Sequence, residues 1–353
     1  MPLSRRQAIA GASALAVIGA PAMATDTWHV PPEEARHQRT FMMWPVSRRV
    51  HPDRYFLDLL QDTILAVANA IADFEPVTLL ADATHHAALR PYLTENVTLW
   101  DIPTEDLWAR DAGPLFAKNA AGDLAISHIQ FNGWGKKQVH KHDGKVAAAI
   151  ANRLGLPLID SGLRGEAGGV EHDGHGLLMA HESSWVINNR NPGLGRDEVG
   201  RRLMKAFNAT RILWSPGLKG EDITDYHIDS LARFTGPGRV LINLPDAPDM
   251  SDPFHLAALD THDMLQAAGV QVEVIPDPTR TRVRSPDFVA SYANYYACNG
   301  AIIAAQFGDP ETDALAVDAL RRHYPGREIV TLNVDPLGEV GGGIHCATQQ
   351  MPA

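Results

Sequence analysis

The chain is poor in cysteine, in aromatic residues and in positive charge, and each shortage excludes something. Two cysteines in 353 residues rule out a disulfide framework and leave at most one bridge. Basic residues number 31 against 42 acidic ones, a formal net charge of -11. Such a surface repels nucleic acid and anionic lipid and favours cationic ligands. Long apolar runs are also missing after the first two dozen residues, so no membrane-spanning helix is expected in the body of the chain. The run that does exist, Ala8 to Ala20, is too short to span a bilayer. Ser4-Arg5-Arg6-Gln7 precedes it and Pro21-Ala22-Met23-Ala24 closes it. A charged start, a short apolar core and a small-x-small end form an export signal, and the paired arginines mark the twin-arginine route. We therefore expect a signal peptide over 1–24, one domain over 25–353, and a periplasmic or secreted workplace.

What is present is a repeated order of elements. Ser291–Ala297 and Ala301–Gln306 read as strands, Pro310–His323 as a helix, and Glu328–Leu332 as a further strand. The same order recurs at Ile228–Phe234, Arg239–Leu244, Pro253–Ala268 and Val270–Ile275. It recurs again at Gly176–Ala180, Ser184–Asn188, Arg196–Phe207 and Arg211–Trp214. Partial copies lie at Leu124–Phe131, Asp143–Leu154 and Leu156–Asp160, and at Thr40–Trp44, Asp53–Phe74 and Val77–Leu80. In the helix 53–74, Phe56, Leu59, Leu60, Ile64, Val67, Ala68 and Ile71 share one face. Units of this length point to a radial array that gathers loops at a common mouth; an open mixed sheet is the alternative.

Four polar clusters carry candidate chemistry. Cys346 follows Gly341-Gly342-Gly343 and is the candidate nucleophile. Its glycines would allow positive φ and close backbone approach, and nearby positive charge would be needed to ionise the thiol. His227 and Asp229 stand two apart, so on a strand they would face one side, the imidazole shuttling protons and the carboxylate gripping a guanidinium at two points. Asp111, in the turn Trp108-Ala109-Arg110-Asp111-Ala112-Gly113-Pro114, is a second carboxylate for the same cation, with Trp108 as an apolar wall; a local Arg110–Asp111 ion pair is the alternative. Glu166, before Gly168-Gly169, can orient His227 as the third member of a triad. Asn188 to Pro192 and Asn294 can line the mouth. His172, His175 and His181 fit no common metal spacing and read as an exposed polar hairpin, so no metal is expected.

Taken in order, these pieces resemble the agmatine deiminase and bacterial peptidylarginine deiminase family. Phe41-Met42-Met43-Trp44-Pro45, Trp108 to Pro114, Phe131-Asn132-Gly133-Trp134-Gly135, Asn189-Arg190-Asn191-Pro192, His227-Ile228-Asp229, Ala290 to Asn294 and the closing Gly-Gly-Gly-Ile-His-Cys carry the likeness across almost the whole mature chain. The resemblance implies the pentein fold, a five-bladed α/β propeller of strand–strand–helix–strand units. It implies hydrolysis of a guanidinium to a ureido group and ammonia, without cofactor. Cys346 would be the nucleophile, His227 the general acid/base supported by Glu166, and Asp111 and Asp229 the guanidinium clamp. Trp108, Arg190, Asn294 and Gly343 would complete the substrate site. Agmatine, yielding N-carbamoylputrescine, is the first expected substrate. Arginine in peptides, yielding citrulline, is the alternative, and it calls for a free arginine such as Arg190 to meet the substrate carboxylate. Tyr226 and Ala167 depart from the family pattern close to the expected site.

Overall fold

A computed structural model describes residues 27–285 and 287–353. The expected export signal lies outside the described residues. Five separate sheets make up the fold. Four of them are built alike. Phe116–Lys118, Leu124–Gln130 and Leu158–Arg164 form one; Val170–His172, Leu177–His181 and Arg211–Ser215 the next. Ala232–Gly236, Arg239–Leu244 and Gln271–Pro276 form a third, and Tyr296–Cys298, Ala301–Ala305 and Glu328–Leu332 a fourth. In each, the first strand runs antiparallel to the second, and a helix returns the chain to a third, parallel strand.

The remaining sheet joins the two ends of the domain. Its antiparallel strand is Gln349–Pro352, paired with His37–Met43, which then lies parallel to Val77–Ala81 and through it to Val97–Asp101. A chain-closing strand of this kind fixes the segment just before it, Gly341 to Thr348, against the start of the fold.

The helices formed where periodicity placed them, because their apolar stripes need a sheet to cover. Arg54–Ala72 begins at Asp53, whose carboxylate accepts the Phe56 N–H at 2.9 Å. Its buried stripe is Leu57, Leu60, Ile64, Val67, Ala68 and Ile71, turned slightly from the expected one, with Phe56 and Leu59 only half-buried. By length and composition this helix could cross a membrane, contrary to expectation. In the fold it packs in the main core, with Asp58 and Asp62 exposed on its outer side.

Three expectations were wrong in type. Ser184–Asn188 is not a strand: Glu182–Trp185 is a short helix that drives Trp185 under the preceding sheet edge, its indole N–H donating to Gly169 O at 2.7 Å. Ile228 does not open a strand, since Ile228–Ser230 is a single 3-10 turn and the strand begins at Ala232. Ser291 to Tyr295 is likewise lead-in rather than strand. The first strand of three sheets has only three residues, too few to show a two-residue period.

Candidate active site

Each of the five sheets presents a turn just before its antiparallel strand, and those turns carry the expected chemistry. Asp111 precedes Phe116–Lys118, Glu166 precedes Val170–His172, and His227 and Asp229 precede Ala232–Gly236. Asn294 precedes Tyr296–Cys298, and Cys346 precedes Gln349–Pro352. Strands that begin at a common centre place their lead-in turns side by side, which brings together residues up to 235 positions apart.

Gly168 marks the meeting point. A Cβ built there would lie 2.8 Å from Asp111 Oδ1, 2.9 Å from His227 Nδ1 and 3.0 Å from Asp229 Oδ2. Any side chain at this position would occupy the space between the three functional groups. Cys346 Sγ lies 3.4 Å from Asp229 Oδ2 and receives an N–H from Asn294 Nδ2 at 3.1 Å. Asn294 Oδ1 accepts the backbone N–H groups of His345 and Cys346 at 3.0 and 3.3 Å. The Asn294 side chain therefore holds the nucleophile turn as well as the sulfur. Glycine is required around it for close approach: a Cβ on Gly343 would meet Asn294 Oδ1 at 2.6 Å, and one on Gly342 would meet the Trp108 ring at 2.6 Å and Cys346 Sγ at 3.3 Å. Only Gly341 of the three has positive φ, 88°, so the expectation of a left-handed glycine run is corrected to one such residue.

The two clamp carboxylates are held differently. Asp111 is bolted to the nucleophile turn through its neighbour, since the Arg110 N–H donates to Cys346 O at 3.0 Å. Both Asp111 oxygens are engaged, Oδ2 by the Trp134 indole at 2.9 Å and Oδ1 by the Gly168 N–H at 3.2 Å. Asp229 is fully buried, with Oδ2 against the His345 ring at 2.7 Å. Its Oδ1 is buried without a hydrogen-bond partner among the described residues, which is costly for a carboxylate oxygen inside a protein; Oδ2 is the oxygen 3.4 Å from the Cys346 sulfur. The local Arg110–Asp111 ion pair does not form, because the Arg110 guanidinium turns to Glu33 at 2.8 Å.

His227 Nε2 donates to Glu166 Oε2 at 3.2 Å, and Nδ1 faces Asp111 Oδ2 at 3.8 Å. Burial works against its charge, but Asp111, Glu166 and Asp229 prevail and lift its pKa to about 9. Asp111 is pushed up to about 6 by burial and by the neighbouring charges of Glu166 and Asp229, against the pull of His227. Asp229 stays below the usual carboxylate range: burial opposes this, but the His345 hydrogen bond and charge outweigh it. The Cys346 thiol is driven well above its ordinary value by burial, then by Asp229 and Asp111. The carboxylates thus surround a sulfur that keeps its proton.

Arg190 is misplaced by the sequence reading. It is fully buried, with Nε on Glu166 at 2.8 Å, Nη1 on Asp225 at 2.7 Å and Nη2 on Thr224 O at 2.9 Å. It grips the carboxylate behind His227 and the residue two before it, and has no donor directed at a substrate. Asp225 and Tyr226 both take left-handed backbone, φ 60° and 68°, a strained pair of non-glycine residues that delivers His227. Two strand neighbours would not have achieved this, so the expected strand geometry of His227 and Asp229 is replaced by a turn. His181, expected on an exposed hairpin, is buried; its ring hydrogen-bonds Tyr226 O and Thr261 Oγ1 and stacks on Tyr226 at 4.7 Å. Among the described residues no group of His, Cys, Asp and Glu is arranged to hold a metal.

Sequence reading also missed a layer. Behind the site, His345 Nε2 meets Glu33 Oε2 at 2.9 Å. Glu33 pairs with Arg110 and with Arg233, and Arg233 pairs with Glu171. Glu33 stands in the Pro31-Pro32-Glu33 opening and His345 in the closing glycine–cysteine motif, both part of the family likeness, but neither carried a role in the sequence; Arg233 gave no signal.

The fold is that of the pentein class of enzymes, and its site gathers a cysteine, a buried histidine and three carboxylates. The chain belongs to the Porphyromonas-type peptidyl-arginine deiminase family, whose sequence model matches residues 29–352. The agmatine deiminase of Ectopseudomonas mendocina is 33% identical over 361 residues, spanning 93% of this chain and 96% of its own. The agmatine deiminase of Enterococcus faecalis superposes with a TM-score of 0.82 at 24% identity, over 92% of this chain and 96% of its own. A C. jejuni agmatine deiminase with substrate bound gives 0.82 at 22% identity, over the same shares, 92% and 96%. These likenesses establish the fold.

Proposed function

We propose that the protein hydrolyses agmatine to N-carbamoylputrescine and ammonia through a covalent intermediate on Cys346. The observation that carries this reading is the buried Asp229 carboxylate, whose Oδ2 stands 3.4 Å from the Cys346 sulfur and whose Oδ1 has no hydrogen-bond partner among the described residues. Two carboxylates converging on one sulfur suit a planar cation with N–H donors, and a guanidinium is such a cation.

The step sequence follows from the charges. As the cation docks between Asp111 and Asp229, it offsets the two carboxylates that hold the thiol protonated, and the thiol proton leaves to solvent. The Cys346 thiolate adds to the guanidinium carbon. The C–N bond breaks, and His227, charged below about pH 9, gives its proton to the departing nitrogen, which leaves as ammonia. Water then attacks the thiouronium carbon while His227 takes a proton. The C–S bond breaks, and the proton left on the protonated urea returns to sulfur. The product is neutral, so the clamp loses its charge partner and releases it.

Agmatine is preferred to peptidyl arginine because the expected reader of a substrate carboxylate, Arg190, is wholly committed to Glu166, Asp225 and Thr224. The export signal read over 1–24 supports a periplasmic or secreted enzyme, which fractionation of cells carrying the full chain would test. For the activity, purified protein is incubated with agmatine, free arginine and an arginine peptide, and ammonia is assayed. Release from agmatine well above the other two is expected. Release only from the peptide, or from none, would refute the reading.

A further inference from the structure

The residue before the nucleophile is tied into the clamp rather than into the core. His345 is 2% exposed. Its Nδ1 lies 2.7 Å from Asp229 Oδ2 and its Nε2 lies 2.9 Å from Glu33 Oε2. Carboxylate oxygens only accept, so the ring meets both with N–H donors. The far carboxylate is itself immobilised. Glu33 is held by Arg110 at 2.8 Å, by Arg233 at 3.0 Å and by the Ala297 N–H at 2.9 Å. The rigid ring spans from that anchor to Asp229 and occupies one oxygen of it. The other oxygen, Oδ1, is left bare.

We infer that His345 is the positioning residue for Asp229: braced on Glu33, it fixes the plane of the carboxylate whose Oδ2 stands 3.4 Å from the Cys346 sulfur, so that the carboxylate meets the substrate cation in one orientation. This rests on the deiminase reading above. His345 touches neither sulfur nor substrate in that arrangement; it acts through Asp229. Without it, the Asp229 carboxylate would be free to rotate about its side chain, and the two-point grip on the guanidinium would lose its aim.

Two amide substitutions separate the ring's two contacts. In His345→Asn the amide nitrogen occupies the place of Nδ1 and keeps the bond to Asp229. In His345→Gln it occupies the place of Nε2 and keeps only the bond to Glu33. Both remove the same ring from the core, so a merely structural role predicts equal damage. The positioning role predicts that the Asn variant stays within about tenfold of wild-type kcat/KM, while the Gln variant falls by about 100-fold, as misplacement of a substrate-holding group does. The affinity for agmatine, measured calorimetrically in a Cys346→Ser background, should weaken at least about tenfold more in Gln than in Asn. Equal losses, two near-normal variants, or a Gln variant better than Asn would each overturn the inference. Should the histidine variants not fold, Glu33→Gln, which slackens the brace but leaves both site groups, is expected to weaken agmatine binding about fivefold; unaltered binding would overturn it. Wild-type protein run alongside keeps the outcomes apart: no ammonia from wild type refutes the deiminase reading, whereas an active wild type with an equally active Gln variant refutes only the role of His345.

Discussion

The two cysteines are both buried and both free, yet only one is placed to react, and the comparison shows what makes the difference. Cys298 ends the strand Tyr296–Cys298 and points its S–H at Ala301 O, 3.6 Å away. Burial, then Glu75, pushes its thiol up to about 12. Cys346 is pushed up as well, by burial and then by Asp229 and Asp111. Depth in the fold is a fixed cost, but two carboxylates beside a sulfur are a cost that a cation removes. Cys346 also has what Cys298 lacks, a side-chain N–H donor, from Asn294 at 3.1 Å, ready for a negative sulfur. A protonated resting thiol is thus held by burial and one acid, Glu75, in one place, and in the other also by two carboxylates whose effect a bound cation would offset, as the proposed reaction requires.

The most severe way to break this comparison is to exchange each sulfur for oxygen. Cys346→Ser should lower kcat for agmatine by about 10³-fold or more, since an alcohol is far harder to ionise and no other nucleophile borders the carbon. Cys298→Ser should leave kcat within about threefold, its site being remote from the chemistry. Comparable losses in both, or turnover in Cys346→Ser near wild type, would end the assignment of the nucleophile.

A second test uses the negative surroundings themselves. The acids around Cys346 hold a proton on His227 to about pH 9, above its ordinary 6.5. A folded-state pKa raised in this way contributes stability that is complete below 6.5 and is lost as the pH rises through 9. The contribution is on the order of 3 kcal/mol. Denaturant unfolding of wild type should therefore weaken between those pH values, and His227→Gln should remove that part of the decline. Cys298→Ser should keep the wild-type slope, because the acids near Cys298 do not hold this proton. A His227→Gln variant with the wild-type slope would show that the acids do not charge the imidazole.

How much of this was visible in the sequence depends on element length. The helices Pro253–Ala267 and Pro310–His323 and the strands Arg239–Leu244 and Glu328–Leu332 were legible because each spans several periods of its own pattern. The three-residue opening strands were not, and with them went the rule that organises the site: one functional turn before the antiparallel strand of every sheet. The residues on those turns were still found, since a cysteine after glycines or an Asp in a Trp-x-Arg-Asp turn is chemically conspicuous. Residues that act at a distance were not. Arg190 reads as a substrate contact from sequence, because a sequence does not show that Glu166, Asp225 and Thr224 O will each engage one of its nitrogens. Glu33 lies more than 300 positions from His345, and nothing local to either announces their pairing.

The smallest expected signal is also the one closest to the physical claim. If the cation ionises Cys346, a proton must appear in solution as agmatine binds, before ammonia is formed. Near pH 8 the other site groups are quiet: Asp111, at about 6, has already lost its proton, and His227, at about 9, largely keeps its own. Rapid mixing of wild type with agmatine in weak buffer, followed with a pH indicator, should show a burst approaching about one proton per site. Cys298→Ser should retain the burst. Cys346→Ser should bind agmatine without it, because its hydroxyl stays protonated beside the same cation. A burst of equal size from Cys346→Ser would assign the proton to some group other than the sulfur, and the distinction between the two thiols would then rest on position alone.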